Sequence, residues 1–290
     1  MTAAFRNRVS MSQHNPMMVR DESRGHTEWL PGRNVFVQDI LGSTTDLLGY
    51  AQQALAHYTL DGSIPRSAGV NAKSVNIRID SVVRRTMFMN TSNAPCYMDV
   101  YRLYPKQSVI DAADLPVPLI EVQQQNAEEL VDESIVDPQY PYPSSDYRFT
   151  PFQSAYLKSI YRIKKIKTVR LMGGARTTVT SSVGGFKINQ IKEDASVANG
   201  TILKKGQSVV MLYKFRGELG LYKPPGLEGE KSYIRTMEGG VANLSNITAK
   251  FHVENDVRKV VRNVYLTDDN AGTSTFIADP LVGHETAQVF

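Results

Sequence analysis

Two apolar-rich segments between Val75 and Tyr104, joined by Asn90-Thr91-Ser92-Asn93-Ala94-Pro95, constrain what this chain can fold into more than any other stretch. Val75, Ile77, Ile79 and Val83 before the joint, and Tyr97, Val100, Leu103 and Tyr104 after it, are the β-branched and aromatic residues that suit a pleated, half-buried surface. From Val75 to Ile79 the alternation is strict, with Asn76, Arg78 and Asp80 on the opposite face. The segments read as two antiparallel strands, one face on a core and the other toward water or a partner.

The rest of the chain adds strands and little regular helix. Residues 1–34 carry Arg6, Arg8, Arg20, Arg24 and Arg33, three acidic residues and no hydrophobic period, which predicts an extended or mobile arm. Apolar residues from Phe36 to Tyr58 recur at helical intervals, and Gly42-Ser43-Thr44 interrupts them, so a turn and then a helix over about 45–57 is expected. Leu115-Pro116-Val117-Pro118 cannot be an inner strand. An amphipathic helix marked by Leu119, Val122, Leu130 and Val131 and a proline- and tyrosine-rich loop at 138–145 follow it, making 117–149 an insertion.

Further on, a helical turn near Thr150-Pro151 leads to a strand from about Ile160 with a bulge near Lys164-Lys165. Gly173-Gly174 makes a turn and Arg176 to Val183 returns; a short strand at Thr201 to Leu203 and a strong one at Gln207 to Arg216 follow. In the strong strand Val209, Met211, Tyr213 and Phe215 share a face. A glycine- and proline-containing loop occupies 217–230. Strands at Ser232–Met237, Ile247–Val253 and Arg258–Leu266 complete the set before a polar extension, 267–290. About eight short strands without regular helical alternation fit an antiparallel sandwich or jelly roll rather than a parallel α/β fold.

Composition removes several function classes. With 41% hydrophobic residues the chain can bury a substantial core. The single cysteine, Cys96, allows no intramolecular disulfide, and the five histidines lack metal-ligand spacing, so neither a metal nor a cofactor is expected. No window approaches the apolar length of a membrane span. The N-terminal Arg6 and Arg8, with no apolar run behind them, do not read as a secretory signal, so an intracellular site of synthesis is expected. Sequons begin at Asn90, Asn199, Asn243 and Asn246, and chance accounts for them in such a setting. No phosphate loop, nucleophile elbow or metalloprotease motif occurs. Asp80 and Asp99 are the carboxylates considered for catalysis, against the alternative that they face solvent or pair with arginine; no enzyme is expected. Glu128, Glu129, Asp132 and Glu133 read as a solvated helix face rather than a cation site.

The net charge of +4 is modest, but the basic residues are organised. Lys158, Arg162, Lys164, Lys165, Lys167 and Arg170 place six cations in thirteen residues beside Tyr156 and Tyr161, a combination that can neutralise phosphates and stack on unpaired bases. Arg84-Arg85, Lys204-Lys205 and Arg258-Lys259 with Arg262 extend it, and Arg6 and Arg8 are further candidates from the arm. Solvated strand faces or salt bridges between subunits explain the same residues. The segments 140–147 and 219–227 are candidate subunit contacts or ligand sites.

Three stretches resemble the capsid proteins of circular single-stranded DNA viruses that encode a replication initiator (CRESS-DNA viruses). They are Thr86 to Tyr101, Thr150-Pro151-Phe152-Gln153-Ser154 followed by Tyr161 to Ile166, and Ala198-Asn199-Gly200-Thr201 leading into Ser208 to Gly217. The resemblance, spread over 75–266, implies a single eight-stranded antiparallel jelly roll with short helices in its connections. It also implies self-assembly into an icosahedral shell of about 60 or more copies around single-stranded DNA. A virion location, possible nuclear assembly and a coat domain over 35–266 follow from it. Many such proteins carry a dense basic arm, which residues 1–34 do not, so genome contact is expected on the basic strand faces. Two other readings stay open: a non-assembling β-sandwich that binds single-stranded nucleic acid, and a carbohydrate-binding or enzymatic sandwich. The latter needs a cleft of solvent-facing aromatics and acids and is the weakest, the lone Trp29 being expected outside the core.

Overall fold

The computed structural model describes residues 17–60, 76–121, 148–223, 232–253, 264–269 and 273–278. Its core is one long β-ribbon rolled on itself. The first strand, β1 (Met17–Trp29), pairs with β11 (Gly239–Val253), and β2 (Asn34–Leu41) pairs with β8 (Val209–Gly217). Further in, β3 (Ile77–Asn90) pairs with β6 (Arg176–Val183), and β4 (Cys96–Pro105) with β5 (Tyr161–Leu171). All four pairings are antiparallel. Folding this nest over itself leaves two facing sheets ordered β1-β11-β3-β6 and β2-β8-β4-β5, which is a jelly roll.

Eight strands make the roll, and the described residues hold five more outside it. The larger sheet gains β7 (Phe186–Ile188) beside β3, and β12 (Val264–Asp269) and β13 (Thr273–Ala278) beyond β1. A separate ribbon is made of β9 (Leu219–Tyr222) and β10 (Tyr233–Thr236).

Two pairs read as neighbouring antiparallel strands from their turns are not hydrogen-bonded partners. β3 and β4 lie in opposite sheets, and so do β5 and β6. Glycine and asparagine mark both joints because the chain crosses between sheets there. Asn90, 1% exposed, donates from Nδ2 to the carbonyls of Ala94 (2.9 Å) and Leu171 (3.0 Å) and accepts at Oδ1 from the Ser92 amide (2.9 Å). One side chain thus ties the two crossings together. A Cβ on Gly173 would sit 2.8 Å from the Asn93 carbonyl oxygen, so the crossings can touch only because that residue is glycine. The Asn90 sequon is therefore structural.

Residues 17–29, read as part of the arm, form β1. Only the alternation of core-side Val19 and Trp29 with outward Met18, Arg20 and Arg24 supports that strand in sequence, and β11 supplies thirteen registered partners. Phe36 and Ile40, counted toward a helix, fall on β2; the helix α1 (Thr44–Leu60) starts after Gly42 turns at φ 67°. Leu47, Tyr50, Ala51, Ala54 and Leu55 of α1 close one end of the sandwich against Ile77, Ile79, Val82 and Phe251. Between the sheets lie Phe88, Met98, Val100, Met211, Tyr213 and Phe215, with Phe88 centred 4.6 Å from Tyr213 and 5.4 Å from Phe215. Trp29, expected outside the core, is buried there, stacked over Phe215 at 6.1 Å and donating to the Met237 carbonyl at 3.1 Å.

The 3-10 turn Pro151–Gln153 and helix α2 (Ala155–Ile160) follow the expected helical turn, and a further helix, α3 (Gln190–Ala198), is capped by Asn189. With residues 106–121, α2 covers half of the smaller sheet's outer face, burying Tyr101, Leu103, Val210 and Leu212 under Phe149, Leu157 and Leu203. That explains why β8 is buried along both faces. A helix does begin at Pro116, while the acidic group 128–133, the loop at 138–145, Arg6, Arg8 and 254–263 lie outside the described residues.

Candidate functional site

The six cations of the 158–170 segment do not form one patch. The bulge sits at Ile166, where the register with β4 passes from Val100 opposite Lys167 to Tyr101 opposite Lys165. Cross-strand partners share a face, so Lys165 and Arg170 turn to the outside of the smaller sheet while Arg162, Lys164 and Lys167 turn to the other side. Lys158, in the last turn of α2, is exposed and accepts a hydrogen bond from Lys106 at its carbonyl. Among the described residues β5 is the last strand of its sheet, and lysine along an edge also keeps another strand from pairing there.

Outside, the cations are matched by acids. Lys165 lies 3.0 Å and Arg216 3.8 Å from Asp99, and Thr168 donates to the same carboxylate. Arg170 meets Glu218 at 2.8 Å, Tyr97 donates to Glu218 at 3.3 Å, and Arg216 stacks 4.8 Å from the Tyr97 ring centre. Burial pushes the Asp99 carboxyl up, but the Thr168 and Lys165 hydrogen bonds and the charges of Lys165 and Arg216 outweigh it and hold the group below its ordinary value. A depressed carboxyl stabilises the fold fully above its unfolded-state pKa, and the contribution is lost as pH falls through the folded value. Asp99→Asn is therefore expected to cost about 1–3 kcal/mol at pH 7. Thermal melts from pH 7 to pH 2 should show the gap from the unsubstituted protein closing at the acid end. Asp80 is likewise engaged, by His252 at 3.0 Å and Arg78 at 3.7 Å, so both aspartates pair with cationic side chains.

The other predicted cations divide. Arg84 is not a surface contact: its guanidinium points between the sheets, 3.3 Å from Asp39 and 3.2 Å from the Ile40 carbonyl, where Thr86 also bonds Asp39 at 3.0 Å. Arg85, the next residue, faces outward because side chains alternate along a strand. Lys204 is held 2.7 Å from the buried Glu193 of α3.

Sequence reasoning missed the outer face of the larger sheet. The register aligns Arg20, Thr248 and Val83 in one row, Glu22, Asn246 and Arg85 in the next, then Arg24, Leu244, Met87 and Thr178, then His26, Ala242, Met89 and Arg176. Lys250 lies beyond, opposite Met18. The cations of this surface come from β1, β3, β6 and β11, and only the strand order collects them. Of these cations the sequence reading named only Arg85 as a candidate contact; a period-two scan of 17–29 would have added Arg20 and Arg24.

The same face carries a depression of about 410 Å³ lined by Arg24, Met87, Met89, Arg176, Ala242 and Leu244, with backbone at Gly25 and Asn243. Among the described residues no cluster of His, Cys, Asp and Glu is placed to hold a metal, and no helix is long and apolar enough to cross a membrane. Burial pushes the Cys96 thiol up to about 11, so it is inert at neutral pH.

No family model matches the sequence, and no curated protein matches it. Among solved structures, the chain is similar to Desmodium yellow mottle tymovirus at 6% identity and a TM-score of 0.21, covering 83% of this chain and 90% of that one. A Penaeus stylirostris densovirus capsid matches at 8% identity and 0.28, over 83% and 85%. The human polyomavirus 6 VP1 pentamer matches at 8% identity and 0.22, over 80% and 95%. These superpositions are loose, and the jelly roll is established by the strand order itself.

Proposed function

We propose that the chain is a viral coat protein whose copies close into an icosahedral shell around circular single-stranded DNA. One observation carries this reading: the rolled ribbon makes a rigid tile that leaves an apolar ridge in water. On the β9–β10 ribbon Leu219, Leu221 and Ile234 are 53%, 73% and 74% exposed, and Leu30 in the adjoining turn is 70% exposed. Together they expose on the order of 500 Å², the scale at which an apolar patch marks a contact site. A shell repeats such a contact by symmetry, so many modest interfaces hold it. The three stretches that resemble CRESS-DNA virus capsid proteins fall on β3–β4, the entry to β5 and β8, inside the tile. In this reading the finished protein is part of a virion, with the nucleus a candidate site of assembly.

Of the cations read from sequence, Lys158, Arg162, Lys164, Lys205 and Arg85 are exposed for phosphate contact, while Lys165 and Arg170 are exposed but ion-paired. Trp29 is in the core and offers a carbohydrate no exposed ring. A non-assembling single-strand-binding sandwich is the competing reading, favoured by the cationic outer face of the larger sheet. Sedimentation velocity of nuclease-treated protein, with a single-stranded DNA circle added back, separates the two. Fast, uniform particles support the coat reading. A protein–DNA complex that never exceeds a few subunits supports the other.

A further inference from the structure

We infer that the depression on the outer face of the larger sheet is a nucleotide site: it takes one unstacked base of single-stranded nucleic acid while Arg24 and Arg176 hold the flanking phosphates. The inference rests on the coat-protein reading only for which surface meets the genome. The site's chemistry is independent of shell closure.

The floor is Met87, Met89, Ala242 and Leu244, all partly exposed, on the two central strands β3 and β11. Thioether sulfur is polarizable and packs well against the face of an aromatic ring, so two methionines side by side accept any base without reading its edge. The rim is charged. Arg24 on β1 and Arg176 on β6 stand three strand spacings apart, about 14 Å between backbones, within reach of the phosphates on either side of a base lying over β3 and β11. At about 410 Å³ the space is of ligand-pocket size.

Charge identifies the occupant. Arg20, Arg24, Arg85, Arg176 and Lys250 are exposed on this face, and among the described residues none of the five makes an ion pair. The acids beside them are Glu22 and Glu28, the latter 3.6 Å from His26. On the smaller sheet, by contrast, Lys165 and Arg170 are neutralised in place. A second copy of the chain across a two-fold axis would set these arginines against one another, which argues against self-association through this face. A duplex keeps its bases stacked and cannot fill the apolar floor. A second crevice, about 520 Å³ and lined by Tyr104, Ser182 and Ser208 among others, has Asp80 as its only charged lining residue, so it does not attract an anion.

Fluorescence anisotropy with a labelled oligothymidylate and a duplex of equal length tests the site on dissociated subunits. The unsubstituted protein is expected to prefer the single strand by about 10-fold. Arg24→Ala with Arg176→Ala should weaken single-strand binding by about 10-fold, erase that preference and flatten the salt dependence by about 1.4 in log–log slope. Neither arginine is used in the fold, so an unchanged melting temperature accompanies this result. Lys158→Ala with Arg162→Ala and Lys164→Ala should weaken both ligands alike and keep the preference. A preference that survives in the Arg24/Arg176 variant, or that is missing from the unsubstituted protein, overturns the assignment. Oligothymidylate binding by a protein that never closes a shell overturns the coat reading instead.

Discussion

Arg84→Ala is expected to destabilise the fold by about 3–5 kcal/mol and to lower its melting temperature by about 10 °C, with no loss of nucleic-acid affinity in the protein that stays folded. The reason is what the substitution leaves behind. Asp39 and Arg84 are each 13% exposed at the side chain, facing one another from β2 and β3 across the sandwich, and Thr86 links Asp39 to Ser245 by a 2.8 Å bond to β11. Removing the guanidinium strands a carboxylate in the interior, and a lone buried charge costs far more than the ion pair contributed. Replacing both partners, Arg84→Met with Asp39→Leu, should recover most of the loss. Urea denaturation of the single and double variants measures this. A phosphate-binding Arg84 would show the reverse: unchanged stability and weakened binding.

Leu221→Glu with Ile234→Glu is expected to abolish assembly while leaving the subunit folded. The two side chains face each other across β9 and β10 and lie mostly in water, so charging them removes nothing from the core. In an interface each contributes about 1.5–3 kcal/mol, so the pair is worth roughly 10²- to 10⁴-fold in a single contact. A shell multiplies that loss over every copy of the contact. Circular dichroism should show native strand content and light scattering should show only subunits. Particles of normal yield from this variant would remove the ribbon from the assembly contacts.

Strand chemistry was readable wherever one face is buried and alternation follows. Val209, Met211, Tyr213 and Phe215 were placed on one face from spacing alone, and all four sit between the sheets. β1 was not readable, because most of its side chains are polar and its place is set by β11, more than two hundred residues away. The joint at Asn90 showed that the chain turns but not whether it pairs or crosses, since Gly and Asn serve both. The same limit governs the cations. Lys158 to Arg170 look like one cluster because they are close in sequence, yet Lys158 belongs to α2, and strand alternation with a one-residue bulge at Ile166 divides the other five between two faces. Arg20, Arg24, Arg85, Arg176 and Lys250 look unrelated in sequence and share a face only through the strand order of the roll.

Electron microscopy of the purified protein across salt and pH tests the central claim most directly. The coat-protein account predicts closed isometric particles of uniform diameter under at least one condition near neutral pH, with their number falling when Leu221 and Ile234 are charged. A protein that remains a monomer under every condition, with and without single-stranded DNA, would contradict it.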